Sequence, residues 1–463
     1  MKFSPWTSLR GWTNCAEQRR HKEYSAVIHS RIFILLGFFF ILPAAELSIA
    51  AEDSADFDFD VGAFDKKPLQ WGGFMEGRYE HLSLNENSAL SFPGTTSSDR
   101  STLDRAGGTL QLDGSYSVRK SSFNWLLKAS AGLDQQEYDD WADIFEAYLR
   151  LRPTDTTTVE AGKQSYKWGT GYAWNPAGFL NRRKDPNDPN EDLEGFITLE
   201  GTWVRSFGSI IESMAATIAV LPVWDGVNDD FGRENTINLA TRLYFLINNS
   251  DIDLVYFSGD SRSTRYGIDF ATNIAGNFAI HAEFSWIPHA TRALLLDSGE
   301  TVLQQDSSSS YLFGMRYLSE LNVTTILEYY HNGSGYSEEE MTGYYQLAEA
   351  AQVEKEPTAA GILLEKALTA SRSTYGLAQP GKNYGYIRST WKEPWEIVYF
   401  TPGITGIINL DDSSWTVTPE LLYTGFTNWE LRLRYTHMAG NTFSEYGEKG
   451  TDSKIELRLR YFF

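Results

Sequence analysis

The chain closes with Ser453-Lys454-Ile455-Glu456-Leu457-Arg458-Leu459-Arg460-Tyr461-Phe462-Phe463. In an extended strand successive side chains point to opposite sides. Ile455, Leu457, Leu459, Tyr461 and Phe463 therefore share one face, and Glu456, Arg458 and Arg460 share the other. The preceding segment repeats the design, with Trp429, Leu431, Leu433 and Tyr435 opposed to Glu430, Arg432 and Arg434. Two charged ribbons side by side need water on one face, while the other face needs an apolar environment. A soluble sandwich would satisfy that demand as well as a membrane barrel would, so the alternation alone does not choose between them.

Connection lengths make the choice. Working back from the last strand, period-two segments fall at roughly 69–83, 106–118, 122–135, 141–152, 156–165, 194–207, 210–222, 235–247, 251–258, 263–274, 277–289, 308–318, 322–332, 383–391, 395–408, 413–424, 428–438 and 453–463. The even-numbered connections, such as Arg119-Lys120-Ser121, Gly208-Ser209, Ala275-Gly276, Lys392-Glu393-Pro394 and Gly425-Phe426-Thr427, are two or three residues long. Among the odd-numbered ones are the long stretches 84–105, 166–193, 223–234, 290–307, 333–382 and 439–452. Short turns on one side and long loops on the other mark a transmembrane barrel, with its turns in the periplasm and its loops outside. The expected fold is an all-β, antiparallel, up-and-down transmembrane barrel of about eighteen strands, with sixteen as the alternative count.

Within the loop 333–382, the segment Ser337–Ser371 carries Ala, Leu, Glu and Lys at helical spacing, broken at Pro357. It reads as two short helices at 337–371 packed over the barrel mouth, with a lid or a partner-docking element as the alternative.

The N-terminal part fits export. The apolar run Ile32 to Leu42 follows Arg31 and leads to Ser48-Ile49-Ala50, a small-x-small cleavage pattern. Residues 1–50 are expected to be a signal peptide, with an over-long start, and 51–68 a short periplasmic segment before a barrel at 69–463. Past residue 50 no run approaches the length of a membrane helix. The single cysteine, Cys15, lies in the segment to be removed, which excludes thiol and zinc-thiolate chemistry from the mature chain. Removal takes away six Lys/Arg and three Asp/Glu, so the formal charge moves from −21 to −24 and nucleic acid is not an expected partner.

The terminal Leu459-Arg460-Tyr461-Phe462-Phe463 resembles the C-terminal signature by which Gram-negative outer-membrane proteins are recognised by the barrel-assembly machinery. That resemblance implies an assembly role for Tyr461 and Phe463, passage past periplasmic chaperones, and residence in the outer membrane among lipid and lipopolysaccharide. A second stretch, Ala161-Gly162-Lys163-Gln164 followed by Trp168-Gly169 and Asn175-Pro176, resembles porin-like barrels of the alginate-export and related substrate-porin type. Lys163 stands where such families often carry Arg.

The alternation assigns a polar inner wall: Glu76, Arg78, Glu80, Asp113, Glu146, Arg150, Arg152, Glu160, Arg242, Asp269, His281, Glu283, Arg316, Glu328, Glu430, Arg432, Arg434, Glu456, Arg458 and Arg460. Both signs occur in comparable number, so the lumen is expected to be mixed and the net negative charge to lie in loops. The third external loop, 166–193, carries Tyr166, Lys167, Trp168, Arg182, Arg183, Lys184 and Asp185. In porins this loop folds inward, and its basic cluster would then face the acidic wall across a transverse field. The alternative is a solvated surface loop.

Other chemistry is poorly supported. Asp225, Asp229 and Asp230 beside Trp224 match no calcium-loop spacing. No Gly-x-Ser-x-Gly elbow occurs. Of the histidines at 81, 281, 289, 331 and 437, His437 with Asn441 is the best candidate for a lipid-hydrolysing site. No metal, cofactor or catalytic constellation is expected. The leading expectation is a channel for passive or substrate-selective diffusion of small polar solutes, since about eighteen strands leave room for an aqueous lumen. A lipid-acting barrel enzyme and a structural or docking barrel are the alternatives. The sequence leaves the oligomeric state open.

Overall fold

A computed structural model of the chain describes residues 68–91, 101–134 and 138–463. The expected signal peptide and most of the expected periplasmic segment lie outside the described residues.

Among the described residues the chain forms eighteen strands: β1 (Leu69–Leu84), β2 (Thr102–Val118), β3 (Ser121–Asp134), β4 (Tyr138–Thr154), β5 (Thr157–Gln164), β6 (Phe196–Ser206), β7 (Ile211–Val223), β8 (Thr236–Ile247), β9 (Ser250–Gly259), β10 (Arg265–Ala275), β11 (Phe278–Leu295), β12 (Thr301–Leu318), β13 (Val323–His331), β14 (Asn383–Trp391), β15 (Phe400–Asn409), β16 (Trp415–Tyr423), β17 (Trp429–Ala439) and β18 (Thr451–Phe462). Each pairs antiparallel with its sequence neighbours, and β1 pairs with both β2 and β18, which closes the sheet and leaves no edge strand. At the seam Phe463 donates its N–H to the Gly73 carbonyl at 3.1 Å and accepts from Gly73 N–H at 3.2 Å. The two terminal aromatics of the expected assembly signal, Tyr461 and Phe463, thus lie at the closure, where Phe463 also meets Trp71.

The outer face carries the apolar half of the alternation. Leu431, Leu433, Leu457, Leu459, Ile387, Ile404 and Phe284 are all exposed. Aromatic rings flank this band: Tyr256, Tyr266 and Trp286 stand in a row at 5.3 and 5.5 Å toward the loop end, and Trp429 meets Tyr461 at 5.0 Å toward the turn end. An apolar band between aromatic girdles is the outer surface that a bilayer requires of a barrel.

Turn chemistry explains the short connections. The β8–β9 turn is Asn248-Asn249, with φ of 49° and 60°, the left-handed pair that a tight hairpin needs and that asparagine tolerates. Two of the expected turns are longer in the structure. The β14–β15 connection extends to Tyr399 through a 3₁₀ turn at Pro394–Glu396, because proline cannot donate to the ladder there. The β16–β17 connection runs from Thr424 to Asn428.

The stretch 290–307, expected as a long loop, is instead a continuation of the β11–β12 hairpin, paired as far as Leu295 and Thr301. Its turn is closed at Gly299, with φ of 78°. The loop 333–382 contains α1 (Glu338–Val353) and α2 (Pro357–Ser371). Ser337 and Glu340 form a reciprocal capping box on α1, and Pro357 opens α2. Met341, Tyr344, Tyr345, Ala348, Ala367 and Ala370 pack together and against Ala293 of the extended β11 and Ala89 and Phe443 of neighbouring loops. Arg292 of the extended β11 grips Glu340 through two bonds of 2.8 and 3.1 Å.

Candidate functional site: a loop folded into the lumen

The loop between β5 and β6, residues 165–195, turns into the barrel and reaches its wall on four sides. The first attachment is apolar. Tyr166, Trp168, Phe179 and Leu180 of the loop share one buried cluster with Phe196, Ala219, Leu221, Val223, Ala240, Val255 and Phe257 from the inner faces of β6 to β9. The lumen was expected to be polar throughout, and toward the loop end of β6–β9 it is not. Those inward positions need not meet water, since the loop covers them.

The second attachment uses two carboxylates deep in the wall. Glu283 of β11 accepts from Gly171 N–H at 2.6 Å, Ala177 N–H at 3.0 Å and the Asn175 amide at 2.8 Å. Glu328 of β13 accepts from Tyr172 N–H at 2.5 Å and Ala173 N–H at 2.8 Å, and meets His281 Nε2 at 2.7 Å. Loop amides that have left regular structure must find acceptors when buried, and these two side chains supply them. Lys184 Nζ, lying near both carboxylates, donates to the Gly171 carbonyl at 3.1 Å. Burial pushes its ammonium down, against the pull of Glu283 and Glu328. Above this contact Trp174 stacks on Tyr330 at 5.1 Å and meets Tyr384 at 5.8 Å.

The third attachment is ionic. Asp188 reaches Arg458 at 2.9 Å, Arg434 at 3.0 Å and Arg432 at 3.6 Å on β17 and β18. Burial alone would raise the Asp188 carboxyl, but the three guanidiniums outweigh it and hold it at about 2. The fourth joins β2 and β3: Lys128 donates to the Asp192 carbonyl at 3.2 Å and Gln111 to the Asp192 carboxylate at 3.3 Å.

The expected wall residues fall into distinct groups. Glu76, Arg78, Glu80, Glu430, Arg432, Arg434, Glu456, Arg458 and Arg460 form one panel across β17, β18 and β1, in cross-strand register. Within it Arg460 and Arg78 both bind Glu76, at 2.6 and 2.8 Å. Arg434 binds Glu420 at 2.5 Å, and Arg458 binds Glu456 at 2.5 Å. Arg150 pairs with Glu160, and Glu146 accepts from Ser165 at the start of the loop. Arg242 forks onto Asp253 with two bonds of 2.7 Å, and Asp253 stands opposite Asp269, which in turn stands opposite Glu283. Asp113 is half-buried, while Arg152 and Arg316 are exposed toward the turn end of the barrel.

The loop residues divide as well. Tyr166 and Trp168 are buried, whereas Lys167, Arg183 and Asp185 are exposed. Arg182 binds Asp230 and donates to the Glu194 carbonyl at 2.7 Å, with its guanidinium 4.4 Å over Phe196. Asp185 accepts from Asn187 N–H at 2.9 Å and so shapes the turn that presents Asp188. The loop therefore does more than face an acidic wall with basic groups: it also sends an acid into the basic panel.

Sequence reasoning missed the role of Asp188, and missed Asp192, Lys128, Glu420 and Lys454, the last of which binds Glu80 at 3.1 Å and Glu456 at 3.0 Å. Lys128, Glu420 and Lys454 sit on the same alternation as their neighbours and were legible by it. Asp188 and Asp192 had no local signal, since their partners lie far away in the chain. His437, the expected enzyme candidate, lies on the outer face with its ring 5.8 Å from Trp415 and stacked on Tyr435 at 6.4 Å.

A closed barrel of eighteen strands with its third external loop folded inside is the architecture of outer-membrane porins. Solved structures agree. A BenF-like porin from Pseudomonas fluorescens Pf-5 superimposes with a TM-score of 0.51 at 11% identity, over 85% of this chain and 98% of that one. Pseudomonas aeruginosa OccK8 (OprE) gives 0.50 at 9% identity, over 85% and 98%. At such identity the likeness is one of fold. No described protein family matches the sequence. No curated protein matches it either.

Proposed function

We propose that the protein is an outer-membrane channel for small polar solutes, narrowed by the loop 165–195. The observation that carries this reading is the loop itself. It enters an eighteen-stranded lumen and is fixed to the wall by Glu283, Glu328 and Asp188, so it sets the bore. Inward charges of both signs in paired ribbons give a passing solute a sequence of donors and acceptors. The paired panel beside Asp188 concentrates that field on one side of the passage.

The same reading takes residues 1–50 as an export signal and Tyr461 and Phe463 as the contact for barrel assembly. Outer-membrane lipid and lipopolysaccharide would surround the aromatic girdles. Planar-bilayer recording of the refolded mature protein tests the channel. Discrete conductance steps with a measurable reversal potential in a salt gradient are expected, whereas folded protein that leaves the bilayer silent would contradict the reading.

A further inference from the structure

Most lumen cations described above are matched by acids. Three where the β9–β10 connection meets the inward loop are not. Arg265 is the first residue of β10, and its neighbour Tyr266 is exposed on the outer face, so Arg265 projects inward. Two residues on, Gly267 lies against Ala177 and Phe179 of the inward loop, which places Arg265 just above that contact. Arg183 comes from the same loop, four residues beyond Phe179. Arg262 caps Phe231, a further member of the buried apolar cluster, with its guanidinium 3.7 Å over the ring and its Nε donating to the Phe231 carbonyl.

Of these three, Arg262 and Arg265 each spend one N–H on a backbone carbonyl, the latter at 3.4 Å to Ser263. Among the described residues none of the three has a carboxylate within ion-pairing distance. Asp230, the acid whose charge acts on Arg262, is engaged by Arg182. Burial, then the neighbouring guanidiniums of Arg265 and Arg183, push the Arg262 group down to about 9, so the cluster is self-repelling as it stands. A cluster of cations that cannot lose their protons at neutral pH is relieved by a bound anion. The planar forks match oxyanions best.

We propose that Arg183, Arg262 and Arg265 form an oxyanion site at the external face of the constriction, suited to a group bearing two negative charges. This rests on the channel reading only for its role, which is to concentrate such solutes before they enter the narrow part. Binding itself requires no conduction. The site faces the lumen, so its ligand comes from dissolved solutes.

The test is isothermal titration of the folded, detergent-solubilised protein with inorganic phosphate, sulfate and acetate, alongside bilayer recordings of the same preparation. Phosphate and sulfate should bind, acetate at least about tenfold more weakly. Arg262→Ala with Arg265→Ala should cost about a hundredfold, at about tenfold for each charged hydrogen-bond donor lost. Arg262→Lys should keep part of the binding, and Lys120→Ala, at the opposite end of the barrel, all of it. Wild-type protein that binds no dianion, or a double variant that binds as wild type does, would overturn the site even if the barrel conducts. Binding by a barrel that fails to conduct would support the site and count against the channel.

Discussion

The inner faces of β6–β9 and of β17, β18 and β1 belong to one barrel and obey one alternation, yet they differ in kind. Toward the loop end of β6–β9 the inward residues are Phe196, Ala219, Leu221, Val223, Ala240, Val255 and Phe257, sealed under Tyr166, Trp168, Phe179 and Leu180, and only below them does the Arg242–Asp253 pair follow. Across β17, β18 and β1 they are Glu430, Arg432, Arg434, Glu456, Arg458, Arg460, Glu76 and Arg78, tied to one another and to Asp188. The same loop touches both. A lumen-facing position is polar where it meets water, charge or the loop's free amides, and apolar where the loop's apolar side chains cover it.

Breaking the apolar side should have the largest effect. Leu221→Asp would bury a carboxylate without a partner beneath the loop, at a cost of about 4 kcal/mol. The measurement is the urea midpoint of the folded barrel, and an unchanged midpoint would mean that the apolar seal is not what holds the loop there. Next is Glu283→Ala, which strips the acceptor from Gly171, Ala177 and Asn175 and should cost about 3 kcal/mol, with noisier open-channel current. On the charged side, Arg434→Ala leaves Asp188 with Arg458 and Arg432, so the loss should be smaller, about 2 kcal/mol.

A pH series sharpens the contrast. A carboxyl held down at about 2 contributes stability that is complete above the ordinary carboxylate range and is lost as pH falls through its folded value. The Asp188 attachment should therefore be intact from neutrality to about pH 4 and fail between about pH 4 and pH 2. Conductance should follow that window in the wild type and lose its acid step in Asp188→Asn. The smallest effect is expected outside the lumen. Arg292→Ala removes a half-exposed pair with Glu340 and should change stability by about 0.5 kcal/mol, read as the same urea midpoint.

Where lipid lies on one side and water on the other, the sequence was readable. Strands such as β17 and β18 declare both faces at once, and the even-numbered turns declare the end of the barrel at which they lie. Beyond the bilayer that pressure vanishes. Thr301–Gln305 extends β12 with the adjacent apolar pair Val302-Leu303 and then two glutamines rather than an alternation, so the hairpin passed for a loop. The β7 run Met214-Ala215-Ala216-Thr217-Ile218-Ala219-Val220-Leu221 is, Thr217 apart, apolar on both faces, a signal of cover on the lumen side that an alternating template does not register. The loop's composition marked it as a loop, and its aromatics hinted at burial. Nothing local could reveal that Asp188 would meet Arg434 and Arg458 or that Glu283 and Glu328 would receive its backbone.

The central claim is that the loop 165–195 sets the bore of a conducting barrel. Single-channel conductance of the refolded mature protein, compared with the variant carrying Glu283→Ala and Glu328→Ala, tests it most directly. The expected result is a small, steady conductance in the wild type and a larger, fluctuating one in the variant once the loop loses its two acceptors. Equal and steady conductance in both would contradict the claim, as would a folded wild type that never opens.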